Sequence, residues 1–137
     1  MAEAVGARLV SKEDLFRQSD FLSVHLVLSS RTRGIVDKAE LALMKPSSYL
    51  INTSRGPLID EQALADALRT RRIRGAGLDV FENEPHVHPD LLPLDNVLLV
   101  PHLASATTET RTSMADLAVE NVLAVLAGHP PLTAIPA

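Results

Sequence analysis

Arg55, Asp79, Glu84 and His102 are the side chains of this 137-residue sequence whose types and placement could do chemistry. Arg55, Glu84 and His102 lie just beyond the apolar runs Tyr49 to Asn52, Ala76 to Phe81 and Asn96 to Val100, and Asp79 lies near the end of the second. A carboxylate near a histidine holds the ring in one tautomer and favours its charged form, which makes it a competent general acid or base. An arginine beside such a pair grips a carboxylate through two hydrogen bonds or polarises a carbonyl. Together these groups suit proton transfer on a small oxygenated anion. Hydride exchange with a nicotinamide fits the same set, because the cofactor would carry the difficult step.

The elements that must position them alternate. Val5 to Val10 reads as a short strand, and Ser11-Lys12-Glu13-Asp14 as the capped start of a helix ending near Gln18. Phe21 to Leu28 is apolar and rich in branched residues, a buried strand. A polar loop runs from Ser29 to Gly34, and a helix from Asp37 to Met44 stops before Pro46. After the strand Tyr49 to Asn52, Asp60 caps a helix from Glu61 to about Arg72, which Gly75 closes. Ala76 to Phe81 and Asn96 to Val100 are strands, separated by a loop holding Pro85, Pro89 and Pro93. A long helix then reaches about Leu126, with Met114, Leu117, Ala118, Val122 and Val125 as its core stripe. This order predicts an α/β fold with a parallel sheet. All strand carboxyl ends then share one edge, where such sheets bind ligands, and the four polar residues meet there.

Composition excludes several other functions. Hydrophobic residues are 46% and charged residues 22%, an ordinary globular balance rather than a disordered one. A net charge of −4 gives no reason to expect nucleic acid as a partner. The cluster Arg69, Arg71, Arg72 and Arg74 falls at a helix end, where cations are stabilising. The absence of cysteine removes disulfides, thiolate metal sites and a thiol nucleophile. No apolar run approaches a membrane span and no signal-peptide pattern opens the chain, so a cytoplasmic location is expected.

Structural readings stand beside the chemical ones. Arg55 could bridge to Asp60 or Asp79, His102 could cap a strand end, and Glu84 could be a solvated loop acid. His25, inside an apolar strand, reads first as a satisfied core histidine. His86 and His88 have metal-like spacing but lack further ligands nearby, so no metal is expected. Ser54 has no nucleophile-elbow context.

Five separated motifs carry a resemblance. They are Ser19-Asp20-Phe21-Leu22-Ser23-Val24-His25-Leu26, Leu41-Ala42-Leu43-Met44-Lys45-Pro46, the run Asn52-Thr53-Ser54-Arg55-Gly56-Pro57-Leu58-Ile59-Asp60, Gly75 to Pro85, and Asn96 to Thr107. In this order and spacing the chain resembles the NAD-binding domain of the D-isomer-specific 2-hydroxyacid dehydrogenases. The resemblance implies a Rossmann-like domain and an oxidoreductase using NAD or NADP on a small 2-hydroxy or 2-oxo acid. It implies that His102 is the acid/base, Glu84 its carboxylate partner and Arg55 the residue that binds the substrate's carboxylate and carbonyl. It also implies that Leu26, Thr53, Ser54, Asp79, His102, Leu103, Ala104 and Ser105 contact the cofactor, with Asp79 on the nicotinamide side.

The departures set further expectations. Family members usually carry proline near Val27, so the adenine-side loop is expected to differ. The sequence holds no G-x-G-x-x-G. The expected unit is therefore an incomplete Rossmann-like domain over residues 1–128, lacking its first strands and glycine-rich loop, with an extended tail over 129–137. Such a fragment is expected to bind NAD weakly and to turn over slowly or not at all alone. Its strand Phe21–Leu28 would be an exposed edge, so a homodimer is expected, or an N-terminal segment folded over that edge. Two other functions remain open at this point: an NAD-sensing, corepressor-like binding protein, and a non-catalytic interaction remnant.

Overall fold

The computed structural model describes residues 3–135. Four strands form one sheet: β1 (Phe21–Val24), β2 (Tyr49–Asn52), β3 (Gly75–Leu78) and β4 (Val97–Leu99). All pairs are parallel, and the spatial order is β1-β2-β3-β4. The helices are α1 (Lys12–Gln18), α2 (Lys38–Leu43), α3 (Glu61–Arg69) and α4 (Thr108–Leu126). The chain forms two compact units, residues 3–101 with the sheet and residues 102–135 with α4. The expected α/β, Rossmann-like architecture is therefore present.

In the first unit the strands are laid down in sequence order, so successive crossovers of one hand place their helices on one side. Leu22, Val24, Leu50, Ala76 and Leu78 point to that side and join Phe16, Leu41, Leu64 and Leu68 in the core. Ser11 caps α1 by accepting from the Asp14 N–H at 3.1 Å. Asp37 and Glu40 close a reciprocal capping box on α2, and Asp60 caps α3 through the Ala63 N–H at 2.9 Å. On the opposite side of the sheet, side chains of the strands are exposed. Phe21 is 69% and Leu98 67% exposed, and Phe21 stacks on Tyr49 with ring centroids 5.3 Å apart. A groove of about 570 Å³ runs over this side past Phe21, Tyr49, Ile51, Gly77 and Leu98.

Several boundaries differ from the sequence reading. Val5 to Val10 is not a strand: a short 3-10 turn covers Glu3–Val5 and no ladder follows. A lone extended segment gains nothing without a neighbour to pair with. β1 ends at Val24 rather than Leu28, because its register brings Val24 opposite Asn52, where β2 itself ends. α3 stops at Arg69, with Thr70 as its cap and Arg71 in the left-handed region at φ 54°. Gly75 is thus no helix terminator. It begins β3, where a Cβ would lie 2.8 Å from the Asn96 carbonyl oxygen and 3.0 Å from the Tyr49 ring.

In the second unit α4 starts from Thr107, whose hydroxyl accepts from the Thr110 N–H at 3.2 Å. Met114, Leu117, Val122 and Val125 are each at least 43% exposed, so the stripe expected to be core is not buried. Its period identifies an apolar face but not what lies against it. The segment after α4 is tied back, with the Thr133 N–H donating to Asn121 Oδ1 at 3.1 Å. No helix among the described residues is long and apolar enough to cross a membrane.

Candidate active site

The carboxyl ends of β1, β2 and β3 bring Leu26, Thr53, Ser54, Arg55 and Asp79 to one edge of the first unit. Asn52 organises this edge. It is the last residue of β2 and is 1% exposed. Its Nδ2 donates to the Arg55 carbonyl at 2.9 Å, and its Oδ1 accepts from the Ser54 N–H at 3.1 Å. The chain therefore turns sharply after β2 and presents Thr53 and Arg55 to solvent. Arg55 Nη1 donates to the carbonyl of Ser54 at 2.7 Å. Ser54 Oγ donates to the Leu26 carbonyl at 2.8 Å, which joins the loops following β1 and β2.

Asp79 follows β3 directly and is 4% exposed; its N–H donates to the Asn52 carbonyl at 3.0 Å and so continues the sheet ladder by one bond. Glu84 is exposed, and its Oε1 accepts from the Phe81 N–H at 3.0 Å. The Glu84–Pro85 peptide is cis. In the second unit, His102 adopts φ 52°, a left-handed conformation uncommon outside glycine and several-fold enriched in histidine. Leu103 and Ala104 are exposed, and Ser105 is half-buried.

Several side chains named in the alternative readings have local partners. Asp60 spends its carboxylate on capping α3. His25 is not a core histidine: it lies beyond β1, exposed, with Nε2 sharing a 2.8 Å hydrogen bond with Ser23 Oγ. His88 Nδ1 accepts from the Asp90 N–H at 3.3 Å. Among the arginines at the end of α3, Arg71 pairs with Asp95 at 2.6 Å, Arg69 with Asp66, and Arg72 donates to the Ala42 carbonyl.

Two residues escaped the sequence reading. Glu61 looks like an ordinary first-turn acid, yet it is 3% exposed and its Oε1 accepts from the Glu82 N–H at 2.7 Å. Burial pushes its carboxyl above the usual range against the pull of that N–H, while the Glu82 and Glu84 charges raise it further and His88 lowers it. Gly56, next to Arg55, lies flush against the Phe81–Glu82 peptide; a Cβ there would come within 2.0 Å of the Phe81 carbonyl oxygen. The adjacent Asp60 cap marks Glu61 as helical but gives no sign of its burial.

Residues 1–104 match the model of the D-isomer specific 2-hydroxyacid dehydrogenase NAD-binding domain. The chain belongs to this family. It is 47% identical over 129 residues to a glyoxylate reductase of Thermococcus litoralis, covering 94% of this chain and 39% of the relative. It is 50% identical over 123 residues to glyoxylate/hydroxypyruvate reductase B of Enterobacter agglomerans, covering 89% and 38%. Among solved structures, an NADPH-dependent glyoxylate/hydroxypyruvate reductase of Sinorhizobium meliloti in complex with NADP and malonate matches with TM-score 0.86. That match has 41% identity and covers 91% of this chain and 39% of the other. The chain thus spans about 39% of the length of such 2-hydroxyacid dehydrogenase relatives.

Proposed function

We propose that this chain supplies the nicotinamide-facing and proton-transfer part of an NAD(P)-dependent 2-hydroxyacid dehydrogenase that reduces small 2-oxo acids of the glyoxylate and hydroxypyruvate type. The observation that carries this reading is the shared edge of Arg55 and Asp79 at the ends of adjacent parallel strands, in a chain of this family. Arg55 is exposed there and holds the carboxylate of the acid while polarising its carbonyl. His102 delivers the proton to the carbonyl oxygen on reduction and removes it from the hydroxyl on oxidation. The family resemblance assigns Glu84 the part of the carboxylate partner in the proton transfer.

The edge also fits a dinucleotide. Thr53 and Ser54 offer hydroxyls, Asp79 offers a buried carboxylate to the nicotinamide carboxamide, and Leu26 borders an apolar pocket of about 310 Å³. A bound nicotinamide supplies or accepts the hydride. Leu103, Ala104 and Ser105 complete the contacts beyond His102. A homodimer belongs to the same reading, with the sheet face of Phe21, 69% exposed, as the surface it covers.

The test is oxidation of NADH or NADPH in the presence of glyoxylate or hydroxypyruvate, using the protein expressed from its own gene. Turnover that fails with Arg55→Ala and His102→Ala supports the roles. Turnover unchanged by either substitution overturns them.

A further inference from the structure

The Phe81–Glu82 peptide is held from two sides by residues outside its own loop. On one side the Gly56 backbone approaches so closely that a Cβ would stand 1.9 Å from the Phe81 carbonyl carbon and 2.5 Å from the Glu82 nitrogen. On the other, the Glu61 carboxylate accepts the Glu82 N–H at 2.7 Å from a position that is 3% exposed. The preceding N–H, that of Phe81, points to Glu84 Oε1 at 3.0 Å. Phe81 itself is 5% exposed and sits in the core.

The geometry points to Glu61 as a positioning residue: with Gly56 it clamps the Phe81–Glu82 peptide, and so fixes the Glu84 loop against the Arg55 turn. Two segments 21 residues apart are joined by this part-buried hydrogen bond, whose acceptor carboxylate belongs to a residue that is 3% exposed. Without that acceptor the Glu82 N–H loses its hydrogen bond to α3, and a partly buried donor without a partner is costly. Gly56 makes the contact stereospecific, because any side chain there must displace backbone rather than the tip of a flexible group. The clamp thereby links the Arg55 turn and the Glu84 loop through backbone.

Glu61 is the titrating member. The charges that face it are Glu82 and Glu84 from the loop and His88 beyond it, and burial raises its proton affinity. Glutamine keeps the acceptor oxygen and removes the titration; alanine removes both. The clamp rests on geometry alone, whereas its effect on turnover rests on the function proposed above.

The experiment follows the Glu82 amide by ¹⁵N NMR and hydrogen exchange in wild type, Glu61→Gln, Glu61→Ala and Gly56→Ala. In wild type the Glu82 N–H resonance should titrate with Glu61. In Glu61→Gln the titration should vanish while exchange protection stays. In Glu61→Ala protection at Glu82 should fall by about tenfold or more. Gly56→Ala should shift the Phe81 and Glu82 amides even if alanine at 61 prevents folding. In the reduction assay, Glu61→Ala should lower kcat/KM by about tenfold, and Glu61→Gln, which keeps the acceptor oxygen, should restore the rate. Unchanged Glu82 protection in Glu61→Ala, or lost protection in Glu61→Gln, overturns the clamp. Loss of protection in Glu61→Ala together with a wild-type protein that shows no turnover leaves the clamp standing and defeats the proposed activity instead.

Discussion

Asn52 holds Arg55 by its backbone: the buried Nδ2 donates to the Arg55 carbonyl at 2.9 Å, while the side chain's oxygen takes the Ser54 N–H at 3.1 Å. The side chain thus replaces the strand partner that the backbone loses at the turn. The cation's direction is set by a neutral residue that never needs to touch a ligand.

Asn52→Ala leaves a buried donor and acceptor without partners, so unfolding free energy should fall by about 1–3 kcal/mol. Urea denaturation followed by circular dichroism measures it. A midpoint equal to wild type would show that water satisfies both groups and that the Asn52 side chain does not set the turn.

Arg55→Ala should reduce kcat/KM for glyoxylate by about 10²–10³ if the guanidinium holds the acid and stabilises developing charge. Arg55→Lys should recover only part of that loss, because an ammonium cannot make the two parallel bonds of the guanidinium fork. Full recovery by lysine would reduce the role to simple charge attraction.

Glu40 joins α2 to α1. Burial by itself would raise its carboxyl, but the Lys12 ammonium at 2.7 Å and the Asp37 capping box outweigh this and hold it at about 2. A depressed carboxyl stabilises the fold above its unfolded value, 4.5, and the contribution is lost as pH falls from there toward about 2. Because the Lys12 end is 44% exposed, the contribution is discounted to about 1–2 kcal/mol. Glu40→Gln should therefore lower stability at pH 7 and flatten its acid dependence. Thermal melts across pH 3 to 7 that run parallel for both proteins would contradict this.

Phe21 and Tyr49 stack on the side of the sheet opposite the core, with an interplanar angle of 8°. Burying this surface in a homodimer should make Phe21→Lys shift the sedimentation coefficient toward the monomer while the fold persists. A wild-type protein that sediments as a monomer at high micromolar concentration would remove the dimer from the proposed function.

The parts legible in the sequence were those with local causes. Tyr49–Asn52 was bounded correctly because an apolar run meets a turn, and the end of α4 near Leu126 because its apolar period stops there. Arg55, Asp79 and Glu84 could be placed near one edge because parallel strands share a carboxyl edge. The misses came where a partner decides the outcome. Val5 to Val10 has strand-forming residues but no ladder neighbour, and β1 stops where β2 stops.

By itself, the sequence determined the alternation of strands and helices, the caps Ser11 and Asp60, and the residues able to grip an anion or move a proton. These follow from side-chain chemistry and local periodicity. Tertiary structure alone decided that Glu61 is a buried acceptor, that Gly56 must lack a side chain, and that Gly75 lies flush against the Asn96 carbonyl. Each depends on atoms distant along the chain meeting within a few ångströms: Glu61 with Glu82, Gly56 with Phe81, and Gly75 with Asn96. No sequence period encodes such a meeting, because it is fixed by the packing of helices on the sheet.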